Sequence, residues 1–217
     1  MTGERITLGE TAIPCAQTHL ARYVFALKWI DEKTVIDAGC GEGYGSWLMA
    51  HAATHVCGVD VCAATILDTA SQKYKRPNLR FRVGNWLAEN DIYEPAEVIV
   101  AFESLEHMGI DGQPVIELAM NRVWERLAPG GVFIGSLPIM QGENKWHVAG
   151  EMTFGECVDT IGYYFTDVSV FHQPFESGSE RVSNVCIRTM EWGNWEEIES
   201  GQVIVVCKKP EIGRAHV

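Results

Sequence analysis

The chain has 217 residues, 47% of them hydrophobic, and carries a formal net charge of −12. This length suits one α/β domain with a proper core, and the acidic balance opposes a nucleic-acid partner, which needs basic surface, while favouring a small or neutral one. With no apolar run long enough to span a bilayer and no charged-then-apolar leader, the chain is expected to be soluble, without a membrane partner and cytoplasmic; its seven cysteines are scattered without a C-x-x-C pair, which fits reduced thiols better than a disulfide framework or a thiolate zinc site.

Residues Met1 to Pro14 lack periodicity and read as an arm. From Thr18 to Ile30, the apolar positions Leu20, Tyr23, Val24, Leu27 and Ile30 follow helical spacing, with His19, Arg22 and Tyr23 near the first turns. This helix is either simply packed or a lid across the open edge of a site. Val35 to Ser46 is an apolar run ending in Asp37 and then in Gly39, Gly41, Gly43 and Gly45. It reads as a first strand, a tight glycine turn and the start of a helix that continues to Ala53. Such a turn offers unpaired backbone N–H groups at the carboxyl edge of a sheet, where part of a nucleotide-like molecule docks. Tyr44 stands where the third glycine of G-x-G-x-x-G belongs, so the dinucleotide pattern is broken.

His55 to Asp60 is the second strand. Asp60 lies ~20 residues beyond the glycines, the separation of a carboxylate that accepts both ribose hydroxyls; a helix N-cap is its plain alternative. Cys62 to Lys75 follows as a second crossover helix, and Asn78 to Trp86 as a third strand with a polar end. Ala96 to Phe102 is the fourth, ending in Glu103-Ser104-Leu105-Glu106-His107. Glu103, Glu106 and His107 stand at i, i+3 and i+4, so a helical turn puts them on one face. There they can hold a divalent cation, perform acid–base work, or only complement a helix dipole.

Asp37-x-Gly39-x-Gly41-x-Gly43 resembles the first motif of the class I S-adenosylmethionine (SAM)-dependent methyltransferases, in which this loop holds the amino acid end of SAM. Phe102 to Met108, the run Arg122 to Gly131, and Gly135-Ser136-Leu137-Pro138 resemble the branch of that family containing the ubiquinone-biosynthesis O-methyltransferases and the small-RNA 3′-end ribose methyltransferases. The resemblance covers about His19 to Lys208. It implies a Rossmann-like α/β fold with helices on both faces of a seven-stranded mixed sheet, order 3-2-1-4-5-7-6, strand 7 antiparallel. It also implies SAM as cofactor, with contacts from Asp37, Gly39, Cys40, Gly41, Tyr44, Asp60, Val61, Asn85, Trp86 and Phe102. Asn85 stands where the family often has an acid bonded to the adenine amino group, and Trp86 where an apolar side chain covers the ring. Glu103, Glu106 and His107 match the ion-binding turn of the RNA-end enzymes, with His147 the candidate for the later ligand of a Mg²⁺ or Mn²⁺ ion; without metal, His107 or His147 is a candidate base.

Leu127 to Gly131 then reads as the turn into a fifth strand, Val132 to Leu137. Glu151 to Glu156 begins a helix with Thr153 as its cap and Glu156 as the capping-box partner, Thr166 to Gln173 is the sixth strand, and Gln202 to Lys208 the seventh. The long connection Pro174 to Gly201 covers a pocket, forms a homodimer contact or packs on its own body. Glu211 to Val217 resembles one reading frame of a sequencing adapter, so a non-native tail on a gene from assembled environmental DNA is expected. The reading is thus one methyltransferase domain over residues 1–210. It is expected to methylate a hydroxyl of a small molecule or sugar, with metal assistance as one route. The alternatives are RNA-end or N-methylation, and a catalytically silent SAM-binding regulatory or partner protein.

Overall fold

The structure, a computed structural model, describes residues 13–88, 94–105, 115–139, 154–174, 187–190 and 201–211. Helix α1 (Ile13–Ile30) leads into β1 (Thr34–Ala38), α2 (Tyr44–Met49) and β2 (His55–Asp60). A π-wound turn, Thr65–Ala70, runs into the short α3 (Ser71–Lys73), then β3 (Leu79–Val83) and β4 (Ala96–Phe102). The second half holds α4 (Val115–Arg126), β5 (Leu127–Ile139), α5 (Phe154–Tyr164), β6 (Asp167–Gln173), β7 (Arg188–Met190) and β8 (Gly201–Lys208).

The strands form one sheet, ordered β3-β2-β1-β4-β5-β8-β6-β7. The first five run parallel, and β8 lies antiparallel between β5 and β6. This is the expected architecture with, among the described residues, one strand more than the expected seven. The addition, β7, falls inside the 174–201 connection and pairs antiparallel with β6 through Val170, Phe171 and His172, satisfying a strand edge that would otherwise end the sheet. The turn at Leu127 to Gly131 is drawn into the ladder: Leu127 already faces Ala96, the register then shifts, and Gly130 takes φ +73°. The expected helix over Cys62 to Lys75 is present as a continuous helical stretch over 63–73, with its middle, Thr65–Ala70, π-wound.

Alternation along the strands divides the core into two layers. Ile36, Ala38, Ile99, Phe133, Val203 and Val205 pack with Met120 and Val123 of α4 and Phe165 after α5. Val35, Val98, Val100, Ile134, Ile204 and Val206 pack under Tyr23, Phe25, Ala26 and Ile30 of α1 and Tyr44 and Met49 of α2. Helix α1 therefore lies across the same sheet face as the glycine loop's helix, and Phe25 meets Phe171 of β6 edge to face at 4.8 Å between ring centres. No helix among the described residues is long and apolar enough to cross a membrane.

The docking of α1 on α2 depends on Gly45 and not on Gly41. A Cβ on Gly45 would lie 2.1 Å from the Tyr23 ring, whereas one on Gly41 would meet nothing within 4 Å. Gly45→Ala should therefore lower the urea midpoint by a stability loss of ~1–3 kcal/mol, as overpacking does. Gly41→Ala should cost only the strain of φ +51°, ~1–2 kcal/mol, and a larger loss for Gly41→Ala than for Gly45→Ala, with unchanged circular dichroism, would contradict this placement of α1.

Candidate active site

At the carboxyl end of β1 the chain turns through Gly39, Gly41 and Gly43, with φ of +78°, +51° and +84°. The loop spends its own N–H groups: Gly39 and Cys40 both donate to the Val59 carbonyl at 2.8 and 3.0 Å, Gly43 donates to the Cys40 carbonyl, and Gly41 to Asp60 Oδ2 at 3.0 Å. The expected row of unpaired donors is thus largely a closed, pre-formed turn. What remains open is the space over Gly41, where a Cβ would meet no protein atom.

Asp37 lies beneath this turn, wholly buried. Ser46 Oγ donates to its Oδ2 at 2.5 Å and Tyr23 Oη to its Oδ1 at 3.4 Å, so one carboxylate ties β1 to α2 and α1. Burial pushes its pKa up to about 7 against the opposing pull of the Ser46 and Tyr23 hydrogen bonds, with the charge of Asp60 adding to the rise. Tyr23 stacks edge to face on Tyr44 and on Phe102 at the end of β4. His19 meets the Tyr44 hydroxyl at 3.5 Å, and burial followed by the neighbouring Arg22 charge holds it neutral, with a pKa near 3.

On the other side of the loop, Asp60 at the end of β2 accepts the Gly41 N–H on one oxygen and the Cys62 N–H, at 2.9 Å, on the other. Both readings of this residue have a counterpart: it caps the turn that follows and braces the loop, with each oxygen keeping a second lone pair. Val61 beside it is 68% exposed, and Val83, at the end of β3 and next to β2, is 39% exposed. Two apolar side chains open to solvent at adjacent strand ends make a platform for a flat ring. Asn85 uses its Oδ1 to accept the Leu87 N–H at 3.0 Å. Trp86 is buried in the core layer with Ile36, Ala38 and Leu105.

Glu103 follows β4 with φ +49°, so the right-handed turn expected to start there does not. Its Oε1 accepts Ser136 Oγ at 2.8 Å, its Oε2 accepts Gln202 Nε2, and its own N–H donates to Ser136 Oγ at 3.1 Å. Glu106, His107 and His147 lie outside the described residues. Among the described residues no three His, Cys, Asp or Glu side chains come together as a metal site, and Cys40, Cys57, Cys62 and Cys207 are free thiols.

The residue that the sequence reading placed on α1 without a role is Arg22. It is 1% exposed, and its Nη1 donates to Gln173 Oε1 at 2.8 Å. Gln173 is fixed in turn by donating its amide to the Thr18 carbonyl at 3.1 Å. Arg22 Nε and Nη2 are buried without a partner. A guanidinium in that state is costly unless an anion completes it, and that is the one signal that separates Arg22 from an ordinary helix-surface arginine.

Because the folded value of Asp37 is raised from the unfolded ~3.9 to about 7, the folded chain holds a proton that the unfolded chain has lost between those values. Stability from this group therefore falls as pH rises from about 4 to about 7 and is flat above. Asp37→Asn cannot titrate, so the stability of the parent relative to the variant should decline across that window by on the order of 4 kcal/mol, read from urea midpoints. Parallel profiles would contradict the assignment.

A family model described as a methyltransferase domain matches residues 36–133, which run from β1 through the glycine loop and β4 into β5. A probable S-adenosylmethionine-dependent methyltransferase of Mycolicibacterium smegmatis is 35% identical over 154 residues, covering 64% of this chain and 56% of the relative. Among solved structures, the N-methyltransferase NodS of Bradyrhizobium japonicum in complex with S-adenosylhomocysteine (SAH) superposes with a TM-score of 0.64 at 18% identity, over 90% of this chain and 86% of that one. The 1,6-didemethyltoxoflavin-N1-methyltransferase of Burkholderia thailandensis gives 0.57 at 16% identity, over 90% and 79%. Residues 36–133, which open with β1 and the closed glycine loop, thus match a methyltransferase-domain model, and the chain shares its Rossmann-like fold with solved methyltransferases.

Proposed function

We propose that this chain is an enzyme that transfers the methyl group of SAM to a small-molecule acceptor held over the carboxyl ends of β4 and β5 and the amino end of β8. The observation that carries this reading is the buried Arg22 guanidinium, two of whose donors lack a partner, on the helix whose next residue, Tyr23, packs over Gly45 and bonds Asp37 beneath the glycine turn. SAM supplies a methyl group already activated on a sulfonium, together with an ammonium and a carboxylate at its amino acid end. The chain offers a group for each part. Arg22 Nε and Nη2 are the donors for the carboxylate, in the fork geometry that guanidinium offers. The space above Gly41 admits the ligand backbone close to the turn. The free lone pairs of Asp60 are acceptors for ribose hydroxyls, and Val61 and Val83 provide the apolar surface for the base.

Catalysis of methyl transfer is mainly a matter of holding nucleophile, methyl carbon and sulfur in line. Tyr23, Phe102 and Tyr44 make a rigid aromatic wall between the turn and the end of β4, which favours one orientation of whatever lies above it. A silent SAM-binding protein would share the donor site but give no product, so conversion of SAM to SAH with supplied acceptors separates the two.

Calorimetric titration with SAH tests the donor site. Arg22→Met should weaken SAH by ~10- to 100-fold, the worth of charge-assisted hydrogen bonds, while leaving the affinity for 5′-methylthioadenosine, which lacks the amino acid end, unchanged. Asp60→Ala should weaken both ligands. No SAH binding by the parent chain, or equal losses of both ligands in Arg22→Met, would sink the reading.

A further inference from the structure

We infer that the acceptor is an amine and that Glu103 together with Gln202 forms the subsite that receives it, an inference that rests on the methyl-transfer reading above. It departs from the hydroxyl acceptor that the family resemblance implied.

Pairing and alternation place Asp37 of β1, Phe102 of β4, Ser136 of β5, Gln202 of β8 and Gln173 of β6 on the sheet face covered by α1. Asp37 stands opposite Val100, Phe102 opposite Ser136, and Gln202 opposite Gln173. Below this level the same face is apolar, built from Val98, Val100, Ile134, Ile204 and Val206. At its carboxyl end it becomes a buried polar row. Ser136, Gln202 and Gln173 are 0%, 4% and 1% exposed, and burying such groups costs free energy unless each is bonded.

The row is bonded everywhere except at its two ends. At one end Gln173 holds Arg22, which is left with spare donors. At the other, Ser136 and Gln202 hold Glu103, and what is left over is acceptors alone. Both donors to the Glu103 carboxylate are neutral, and no described cation pairs with it. The Gln202 amide, having turned its nitrogen toward Glu103, leaves Oε1 buried without a donor. Glu103 has left-handed backbone at the end of β4, and its carboxylate lies at the sheet edge against Ser136 of β5 and Gln202 of β8.

A cluster of a carboxylate and an amide oxygen is matched by a group with several N–H donors and a tendency to positive charge. A hydroxyl has one hydrogen to offer, and an anionic acceptor is repelled. In the reaction, the amine enters neutral: its lone pair forms the new N–C bond, and the S–C electrons return to sulfur as a thioether lone pair. The surplus N–H proton passes to Glu103 and from there to water, so Glu103 is placed as acceptor-binding residue and proton acceptor together.

The test uses the full chain loaded with SAH. Benzylamine and a set of other primary amines, each matched with its hydroxyl counterpart, are titrated by calorimetry into the parent, Glu103→Gln and Gln202→Met. The expected result is binding of amines over their hydroxyl counterparts, weakened ~10-fold or more in both variants with the SAH affinity unchanged. Glu103→Gln keeps the shape and can still bond Ser136, so a folding defect there is distinguishable by its unfolding midpoint. The inference is overturned if no amine binds at millimolar concentration, if hydroxyl counterparts bind equally, or if the variants bind amines as the parent does. It is also overturned if Glu103→Gln loses SAH affinity to the same extent, since Glu103 would then serve the donor's own ammonium. Failure of SAH to bind the parent chain counts instead against the methyl-transfer reading.

Discussion

The position of α1 rests on one buried carboxylate. Asp37 reaches Ser46 on one side and Tyr23 on the other, and those two bonds set α1 and α2 side by side over the strand that feeds the glycine turn. Once Tyr23 is fixed, its ring fills the space above Gly45, and the residue before it in the chain, Arg22, is directed down onto Gln173. The donor site, the aromatic wall and the buried polar row all inherit their geometry from this contact. Leaving Asp37 fully ionised in such a place is unfavourable, which is why its proton is held to near neutrality.

Much of this was readable in the sequence, because the features are local. A strand, a glycine run with positive φ and a carboxylate at the next strand end announce themselves by spacing, and the strand order followed from the family resemblance that the spacing supports. The two-layer core also follows from alternation along Val35 to Ala38 and Ala96 to Phe102. What was not readable came from partners far apart in the chain. Nothing near Arg22 shows that it will be buried without an anion, and nothing near Glu103 announces Ser136 or Gln202 as its companions. The left-handed turn at Glu103 was hidden for the same reason. The i, i+3, i+4 pattern favours a helix start, but hydrogen bonds from two other strands outweigh a local preference worth about a kilocalorie. Strand β7 is another case, since three residues with no marked alternation earn a place in the sheet only by meeting the open edge of β6.

The polar row shows how the fold reconciles stability with function. A sheet face otherwise built from valine and isoleucine would be more stable if it stayed apolar to its end. Replacing its last rung with serine and two glutamines costs packing and leaves unsatisfied atoms, and that cost is concentrated at the level where the parallel strands end and the glycine turn begins. Open α/β sheets bind their ligands at that edge. Each glutamine serves as a spacer that carries charge positioning from one strand to the next: Gln173 for the cation and Gln202 for the anion, on adjacent antiparallel strands.

The same arrangement has a consequence for how the protein acquires its function during folding. The bonds that immobilise Arg22 and Thr18 cross 151 and 155 positions of sequence, among the longest separations the chain allows. Helix α1 precedes its partners on β6 by most of the sheet, and β6 itself needs β8 to join it to the sheet. The glycine turn and the first four strands can assemble around local pairings well before this, whereas closures over such separations come late because their entropy must be met first. A nascent chain therefore has its glycine turn before the Arg22 guanidinium is fixed, and under the function proposed above the ability to discriminate the whole donor from its nucleoside fragment would come only once β6 and β8 have joined the sheet.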